Sequence, residues 1–203
     1  SRRDPATCPD INVALGYDSL KRITSKRTEY GSTVALDVKV EYEGNTLFPV
    51  NVKTTGASLL LPLDYGIVYD SNHRPVRINV SSNGSLVHYF TYSYSGPAIP
   101  VTLEQAKTID PFRFMDELMT AGLVISHYDG DGVLVETFTV GAIANGLRVD
   151  VRTPAGALNG YFILAKDTDG NLVSFTSYGA DGTPTWAYSY DYTPAIAELA
   201  NQA

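Results

Sequence analysis

Alternation of apolar and polar residues runs through most of this chain. From Val34 to Tyr42 every second residue is apolar, and Asp37, Lys39 and Glu41 stand between them. This pattern is typical of a strand with one face in a core and the other in solvent. Similar segments predict further strands at 47–53, 58–61, 64–70, 74–80, 86–94, 123–128, 133–140, 146–152, 160–166, 171–178 and 184–192.

Four segments depart from the alternation and predict helices. The first, over 11–23, follows a capping Asp10 and carries apolar residues at Ile11, Leu15, Leu20 and Ile23. Thr102–Gln105 is a capping-box sequence, and Asp110 places a cap before Pro111, so helices are expected over 102–108 and 111–121. Thr193-Pro194 predicts a short helix at 195–200.

Together these elements predict a mainly β, α+β fold. We expect a curved antiparallel sheet, or an open half barrel, with a central helical pair and short terminal helices. An N-terminal tail is expected over 1–9 and a single β-rich domain over 10–203, with the helical insertion at 102–122. A length of 203 residues suits one domain of this class.

Hairpin-like units recur along the chain. They begin at Tyr69, Tyr128 and Lys166, and each combines an Asp/Gly turn with a following strand. Duplication accounts for them, and so does convergence, because any meander of strands needs such turns.

Charge and composition restrict the partners. The net charge is −7, divided into +2 for the first 30 residues and −9 for the other 173. Such a body repels phosphates, so we expect no nucleic acid, whereas the basic start leaves peripheral membrane contact open. Few lysines among many Tyr, Thr, Ser and Gly, and a start at Ser1 instead of methionine, favour a processed protein that is secreted or periplasmic. Cys8 is the single cysteine, so no disulfide forms within the chain, and its thiol is either unmodified or carries a modification.

The sequence has no motif of a cofactor enzyme. Neither G-x-G-x-x-G nor a P-loop occurs, so no nucleotide cofactor is expected. The three histidines lack metal-ligand spacing, and the Asp/Gly segments at 129–132 and 167–171 are typical of hairpin turns, so no metal is expected. An acid–base site built from His88, His127 and Asp129 is an alternative, because catalytic groups can come from distant positions.

The aromatic strands are the main candidate for a binding site. Residues Leu86, His88, Phe90, Tyr92 and Tyr94 share one face, and 184–192 is similar. Both a packed core and a ligand cavity account for this pattern. In the second interpretation an apolar or amphipathic small molecule contacts Phe90, Tyr92, Tyr94, Phe112, Met115, Met119, Trp186, Tyr188 and Tyr190.

Three segments carry a resemblance to a known group: Tyr17–Ile23, Val68–Ile78 and Phe162–Tyr192. Their order resembles the periplasmic lipoprotein-carrier and mycobacterial lipoprotein families of the LolA/LprG type. The resemblance implies an open half barrel that encloses lipid or acyl chains. The helical pair at 102–122 and the excess of tyrosine depart from those families.

Three functions are therefore considered. The leading hypothesis is an exported, non-enzymatic protein that binds a lipid-like molecule between a curved sheet and the helix at 111–121. One alternative is a cofactor-free isomerase or cyclase of barrel type that uses Tyr, His and Asp as acid and base. The other is a surface β-domain that binds a protein or a glycan through aromatic hairpins, which requires exposed aromatic side chains.

Overall fold

The computed structural model describes residues 11–95, 120–168 and 172–189. Thirteen strands form the regular structure of these residues, in one open antiparallel sheet whose strand order follows the sequence. They are β1 (Ile11–Tyr17), β2 (Ile23–Tyr30), β3 (Thr33–Tyr42), β4 (Pro49–Thr55), β5 (Leu63–Tyr69), β6 (Pro75–Ser82), β7 (Ser85–Tyr94), β8 (Leu123–Asp129), β9 (Leu134–Ile143), β10 (Gly146–Arg152), β11 (Leu158–Lys166), β12 (Leu172–Gly179) and β13 (Pro184–Ser189).

The predicted α+β class, a curved sheet or half barrel with helices, is wrong, whereas the antiparallel sheet that it contained is confirmed. The described residues are all β, with no helix among them, and therefore none that could cross a membrane. Residues 120 and 121, the end of the second predicted central helix, are not helical. The rest of that pair, the predicted C-terminal helix at 195–200 and the tail at 1–9 lie outside the described residues.

The predicted helix over 11–23 is also wrong, because this segment holds β1, a turn and the start of β2. Ile11, Val13 and Leu15 alternate with smaller or polar residues, which is the two-residue period of a strand. The chain then turns at Asp18, whose Oδ1 accepts the backbone N–H groups of Leu20 and Arg22 at 2.9 and 3.0 Å. A side chain that bonds its own backbone in this way favours a turn over a helix.

Eleven of the twelve predicted strands are confirmed to within three residues over the part of each that the structure describes. The exception is 58–61, which lies in the connection between β4 and β5. Gly56 turns the chain there with a φ of 139°, and the Leu59 N–H donates to the Gly56 carbonyl at 3.2 Å. Leu60 is fully exposed, so an apolar run alone does not define a strand.

The chain divides into two compact units. Among the described residues, unit 1 holds 11–92 and 128–133, and unit 2 holds 93–95, 120–127, 134–168 and 172–189. The buried apolar side chains of unit 1 include Val38, Val40, Phe48, Ile78 and Val80. Those of unit 2 include Leu123, Val140, Val149 and Leu164. The single domain over 10–203 stays a prediction.

Five connections share one turn geometry, at 18–22, 70–74, 129–133, 153–157 and 179–183. In each, the first N–H donates to the fifth carbonyl and the fourth N–H to the first carbonyl, at 2.8 to 3.1 Å. The fourth residue has a positive φ: Lys21, His73, Gly132, Gly156 and Gly182. A turn followed by a left-handed residue matches the twist of a hairpin. The hairpins predicted at Tyr69 and Tyr128 are thus confirmed, and their origin by duplication stays a prediction.

Candidate binding surface

A row of neighbouring aromatic side chains crosses unit 2. It consists of Phe138 on β9, Phe162 on β11, Phe175 on β12, and Trp186 and Tyr188 on β13, and is called here the aromatic row. The ring centroids of successive members lie 6.3, 5.4, 4.9 and 5.1 Å apart. These separations are in the range in which aromatic rings attract one another.

Exposure increases along the aromatic row toward β13. Phe162 and Phe175 are half-buried, whereas 48% of Trp186 and 63% of Tyr188 are exposed. The Trp186 ring is parallel to that of Phe175 within 6°, so one of its faces is in contact with Phe175. Large aromatic groups presented to solvent in a continuous set are typical of an interaction surface.

Strand register places the aromatic row on the face that also forms the core of unit 2. Val149 is opposite both Val140 and Phe162, and Leu164 is opposite Phe175. Val149 is completely buried. Because side chains alternate between the two faces of a sheet, the row extends this core across the sheet to β13.

The other face of unit 2 carries a different stack, in which Arg148, Tyr161 and Tyr178 follow one another on β10, β11 and β12. The Arg148 guanidinium lies 3.8 Å from the centre of the Tyr161 ring, and that ring stacks on Tyr178 at 4.7 Å. The Nε of Arg148 also donates to Asp150 at 2.7 Å. This face is therefore held by cation–π and ionic contacts.

Unit 1 repeats this arrangement with other residues. The Arg77 guanidinium lies 3.9 Å from the centre of the Tyr89 ring, and that ring stacks on Tyr128 at 4.8 Å. The Nε of Arg77 also donates to Asn79 at 2.7 Å. Asn79 is opposite Tyr89 as Asp150 is opposite Tyr161. An arginine and two tyrosines thus recur at the same register in both units, with Asn79 in the place of Asp150, which makes these two stacks structural equivalents.

The structure places the predicted ligand-binding residues in two groups. Phe90 and Tyr92 lie on β7 in unit 1, and Phe90 is opposite the buried Ile78. Tyr92 is itself buried, with 8% exposure. Tyr94, Trp186 and Tyr188 belong to unit 2. Phe112, Met115, Met119 and Tyr190 lie outside the described residues.

The candidate acid–base residues are divided in the same way. His88 lies on β7 against Phe90, with ring centroids 5.7 Å apart. The Asp129 carboxylate belongs to a turn, where Oδ1 accepts the N–H groups of Asp131 and Val133 at 3.1 and 2.8 Å. The Nδ1 of His127 contacts Oε1 of Glu136 at 3.1 Å, and both side chains are largely buried. Catalysis by these residues stays a hypothesis.

Sequence reasoning missed Glu136, Phe138, Phe162 and Phe175 as members of these sites. Phe138 alternates with Val140 and Phe162 with Leu164, which was a signal for the face they share. Their alignment with Trp186 depends on strand register, and the sequence does not fix that register. Among the described residues, no group of three His, Cys, Asp or Glu is placed to hold a metal ion.

Burial changes the ionisation of one aromatic side chain in unit 1. The Tyr65 side chain is partly buried in the fold, and this desolvation raises the pKa of its hydroxyl above the ordinary value. Tyr65 is opposite Val52 on one side and the buried Val80 on the other, so its ring lies at the margin of the core. The neutral phenol is therefore the form that this core favours.

No protein family matches the chain, and no curated protein matches it significantly. The likeness to lipoprotein carriers of the LolA/LprG type therefore stays a prediction, as does the lipid-like ligand that it implies.

Proposed function

We propose that this protein is a non-enzymatic binding protein that acts in a secreted or periplasmic setting and binds a partner polypeptide along β13. The partner segment is extended and carries apolar side chains at alternate positions. These side chains pack against the exposed end of the aromatic row, at Trp186 and Tyr188. Among the three functions considered, this is the surface β-domain with a protein partner.

The exposure of Trp186 and Tyr188 is the observation that carries the proposal. Both are about half exposed or more, while Phe175 beneath them holds the Trp186 ring at 4.9 Å. A rigid aromatic ring loses little conformational entropy on binding, and Trp and Tyr are enriched among the residues that dominate protein interfaces.

The backbone of β13 supports an extended partner in particular. Within the described sheet, β13 has a neighbour on one side only, and all six of its residues are exposed. An extended segment can add to such an edge through backbone hydrogen bonds. Trp186 and Tyr188 stand two residues apart and so lie on one face, which matches side chains at alternate positions of the added strand.

Charge indicates which partner segments fit. The chain carries −7 overall, so a segment with basic residues at its solvent-facing positions is attracted and an acidic one is repelled. The preferred ligand is therefore an extended segment in which apolar and basic residues alternate.

A labelled peptide tests this proposal. A nine-residue peptide of alternating Val and Lys, with a fluorescein group, is titrated with the full chain and its fluorescence anisotropy is followed. We expect saturable binding that weakens tenfold or more in Trp186→Ala and in Tyr188→Ala. When the same peptide is added without its fluorescein label, the emission of Trp186, the only tryptophan in the chain, is expected to shift to shorter wavelength.

Two controls make the result specific. Tyr30→Ala removes an aromatic side chain that is 46% exposed in unit 1 and leaves peptide binding unchanged. A peptide of the same composition with its Val and Lys residues in two blocks binds more weakly, because it does not alternate. Equal binding of both peptides, or binding of a fluorescent fatty acid in place of either, overturns the proposal.

A further inference from the structure

The edge strand β1 exposes an apolar surface that nothing in the proposed function uses. Ile11, Val13, Leu15 and Tyr17 are exposed by 63, 56, 45 and 59%. In the described sheet β1 pairs with β2 on one side and has no strand on the other. An edge with free backbone groups and exposed apolar side chains is a template for another strand.

The composition of β1 is also unusual for an edge. Natural sheets protect their edges with charged residues, proline or bulges. Residues 11–17 contain neither a charged residue nor a proline, and the one register shift lies at the far end, between Gly16 and Tyr17. The strand therefore lacks the features that discourage pairing.

We propose that β1 pairs with β1 of a second copy of this chain, antiparallel and with Ala14 on the two-fold axis. In this register Val13 of each copy is opposite Leu15 of the other, and Ile11 is opposite Tyr17. A two-fold axis perpendicular to the sheet keeps the apolar face of both copies on the same side. All seven residues of the strand pair, and each exposed apolar side chain gains an apolar partner.

Electrostatics allow this approach of two identical chains. No charged side chain of β1 meets its own copy, because β1 has none. Among the residues of β2 that pair with β1, the basic ones are Lys26 and Arg27, opposite Leu15 and Ala14. The two β2 strands would lie three strand spacings apart, about 14 Å. This exceeds the Debye length of about 8 Å at physiological ionic strength, so their repulsion is screened.

The size of the contact sets the expected strength. A pair of seven-residue strands buries less than the ~1,200 Å² at which stable interfaces begin. We therefore expect a reversible dimer that forms as the concentration rises from about 10 µM to 1 mM. The pairing is isologous, so it stops at two copies, whereas pairing of β1 with β13 of another copy would continue into a series of oligomers.

Sedimentation equilibrium of the full chain over this concentration range tests the proposal. The wild type is expected to change from monomer to dimer. Val13→Lys, at a position that is 56% exposed, is expected to remain a monomer over the whole range. The control is Val68→Lys, which introduces the same charge at a valine that is 47% exposed on the interior strand β5 and leaves the dimer intact.

A mixing experiment tests the register. Leu15→Glu alone is expected to remain monomeric, because in its dimer each glutamate would lie opposite the apolar Val13 of the other copy. In an equimolar mixture of Val13→Lys and Leu15→Glu, the introduced lysine and glutamate face each other across the axis, and association returns. Circular dichroism establishes that each variant is folded.

Four results overturn the proposal: a wild type that stays monomeric, oligomers beyond the dimer, a dimer that Val13→Lys leaves unchanged, or a mixture that fails to associate. Oligomers beyond the dimer would indicate pairing of β1 with β13, whereas the other three results leave peptide binding at β13 untouched. This proposal and the proposed function therefore fail separately.

Discussion

Asp70 contacts Arg74 through both of its carboxylate oxygens. Oδ1 accepts the Arg74 backbone N–H at 2.9 Å, and Oδ2 accepts the side-chain Nε at 2.8 Å. Asp18 and Arg22 make the same two contacts at 3.0 and 2.7 Å. An acid at the first position of the turn and an arginine at the fifth thus hold two hairpins of unit 1 in one geometry.

Asp70→Asn is expected to destabilise the protein by about 1 kcal/mol at pH 7, because the amide keeps its carbonyl acceptor for the backbone but loses the charge that Arg74 pairs with. Asp70→Ala is expected to cost about 2 kcal/mol, since the backbone N–H groups of Asn72 and Arg74 also lose their acceptor. Urea unfolding measures both. Equal costs for the two variants would mean that only the charge matters.

The same pair predicts a response to acid. Burial by itself raises the pKa of Asp70, but hydrogen bonds from the backbone and side chain of Arg74 and the backbone of Asn72 outweigh it and hold the pKa below its ordinary value. Because the pKa is lower in the folded state, the stabilisation is complete above the unfolded pKa of about 3.9 and is lost as the pH falls through the folded value.

We therefore expect the difference in unfolding free energy between wild type and Asp70→Asn to be constant above about pH 5 and to shrink toward zero as the pH falls below about 4. Unfolding curves of the two proteins at a series of pH values provide the measurement. A difference that does not shrink at all between pH 5 and pH 2 would contradict the assignment of this acid dependence to Asp70.

Lys21 and His73 occupy the same left-handed position in equivalent turns but should respond differently to glycine. Their φ angles are 60° and 58°. Lys21→Gly is expected to stabilise the protein by about 0.5 kcal/mol, because glycine adopts this conformation without steric cost. His73→Gly is expected to destabilise it, since the His73 ring stacks on the buried Phe48 at 4.4 Å. Thermal unfolding of both variants checks the opposite signs.

The sequence predicted most of the strands because alternation is a local property. The helix over 11–23 failed for a physical reason, since Ile11 and Leu15 satisfy a helical spacing while Ile11, Val13 and Leu15 satisfy that of a strand. What distinguished them was the Asp18 side chain, which bonds the backbone of Leu20 and Arg22 and turns the chain. A pattern of apolar residues does not contain that information.

The aromatic row could be predicted only in part. Trp186 and Tyr188 were candidates because they alternate within one strand. Phe162 and Phe175 join them through the pairing of β11 with β12 and of β12 with β13. Two register shifts lie in these strands, between Ala165 and Lys166 and between Ser177 and Tyr178. At each shift one strand has one residue more than its partner, and the local sequence does not show where that extra residue lies.

Gly146→Ala is expected to destabilise the protein by about 2 kcal/mol or more, because a methyl group there would collide with the Leu164 carbonyl oxygen and the φ of 145° is unfavourable for other residues. Gly66→Ala is the control. A Cβ at Gly66 meets nothing within 4 Å, so we expect no loss and a gain of about 0.5 kcal/mol. If chemical denaturation gave both variants the same change in the free energy of unfolding, the collision with Leu164 would not be what destabilises Gly146→Ala.

The two equivalent stacks allow one contribution to be separated from another. Arg77→Met and Arg148→Met both remove a guanidinium from a tyrosine ring, at a cost of about 0.5–1 kcal/mol each. Arg148 also loses an ion pair with Asp150, whereas Arg77 loses a hydrogen bond to the neutral Asn79. Arg148→Met should therefore be the more harmful at low salt, and the excess should disappear at 1 M NaCl, where ionic contacts are screened.

Lysine at the same positions tests the stacking itself. Arg148→Lys keeps the charge near Asp150 but loses the planar group that lies on Tyr161, so it should recover only the salt-dependent part of the loss. Arg77→Lys, which has no carboxylate at the equivalent position, should be as unstable as Arg77→Met at every salt concentration. A full recovery in Arg77→Lys would mean that charge alone, without a planar guanidinium, holds Tyr89 and Tyr128 together.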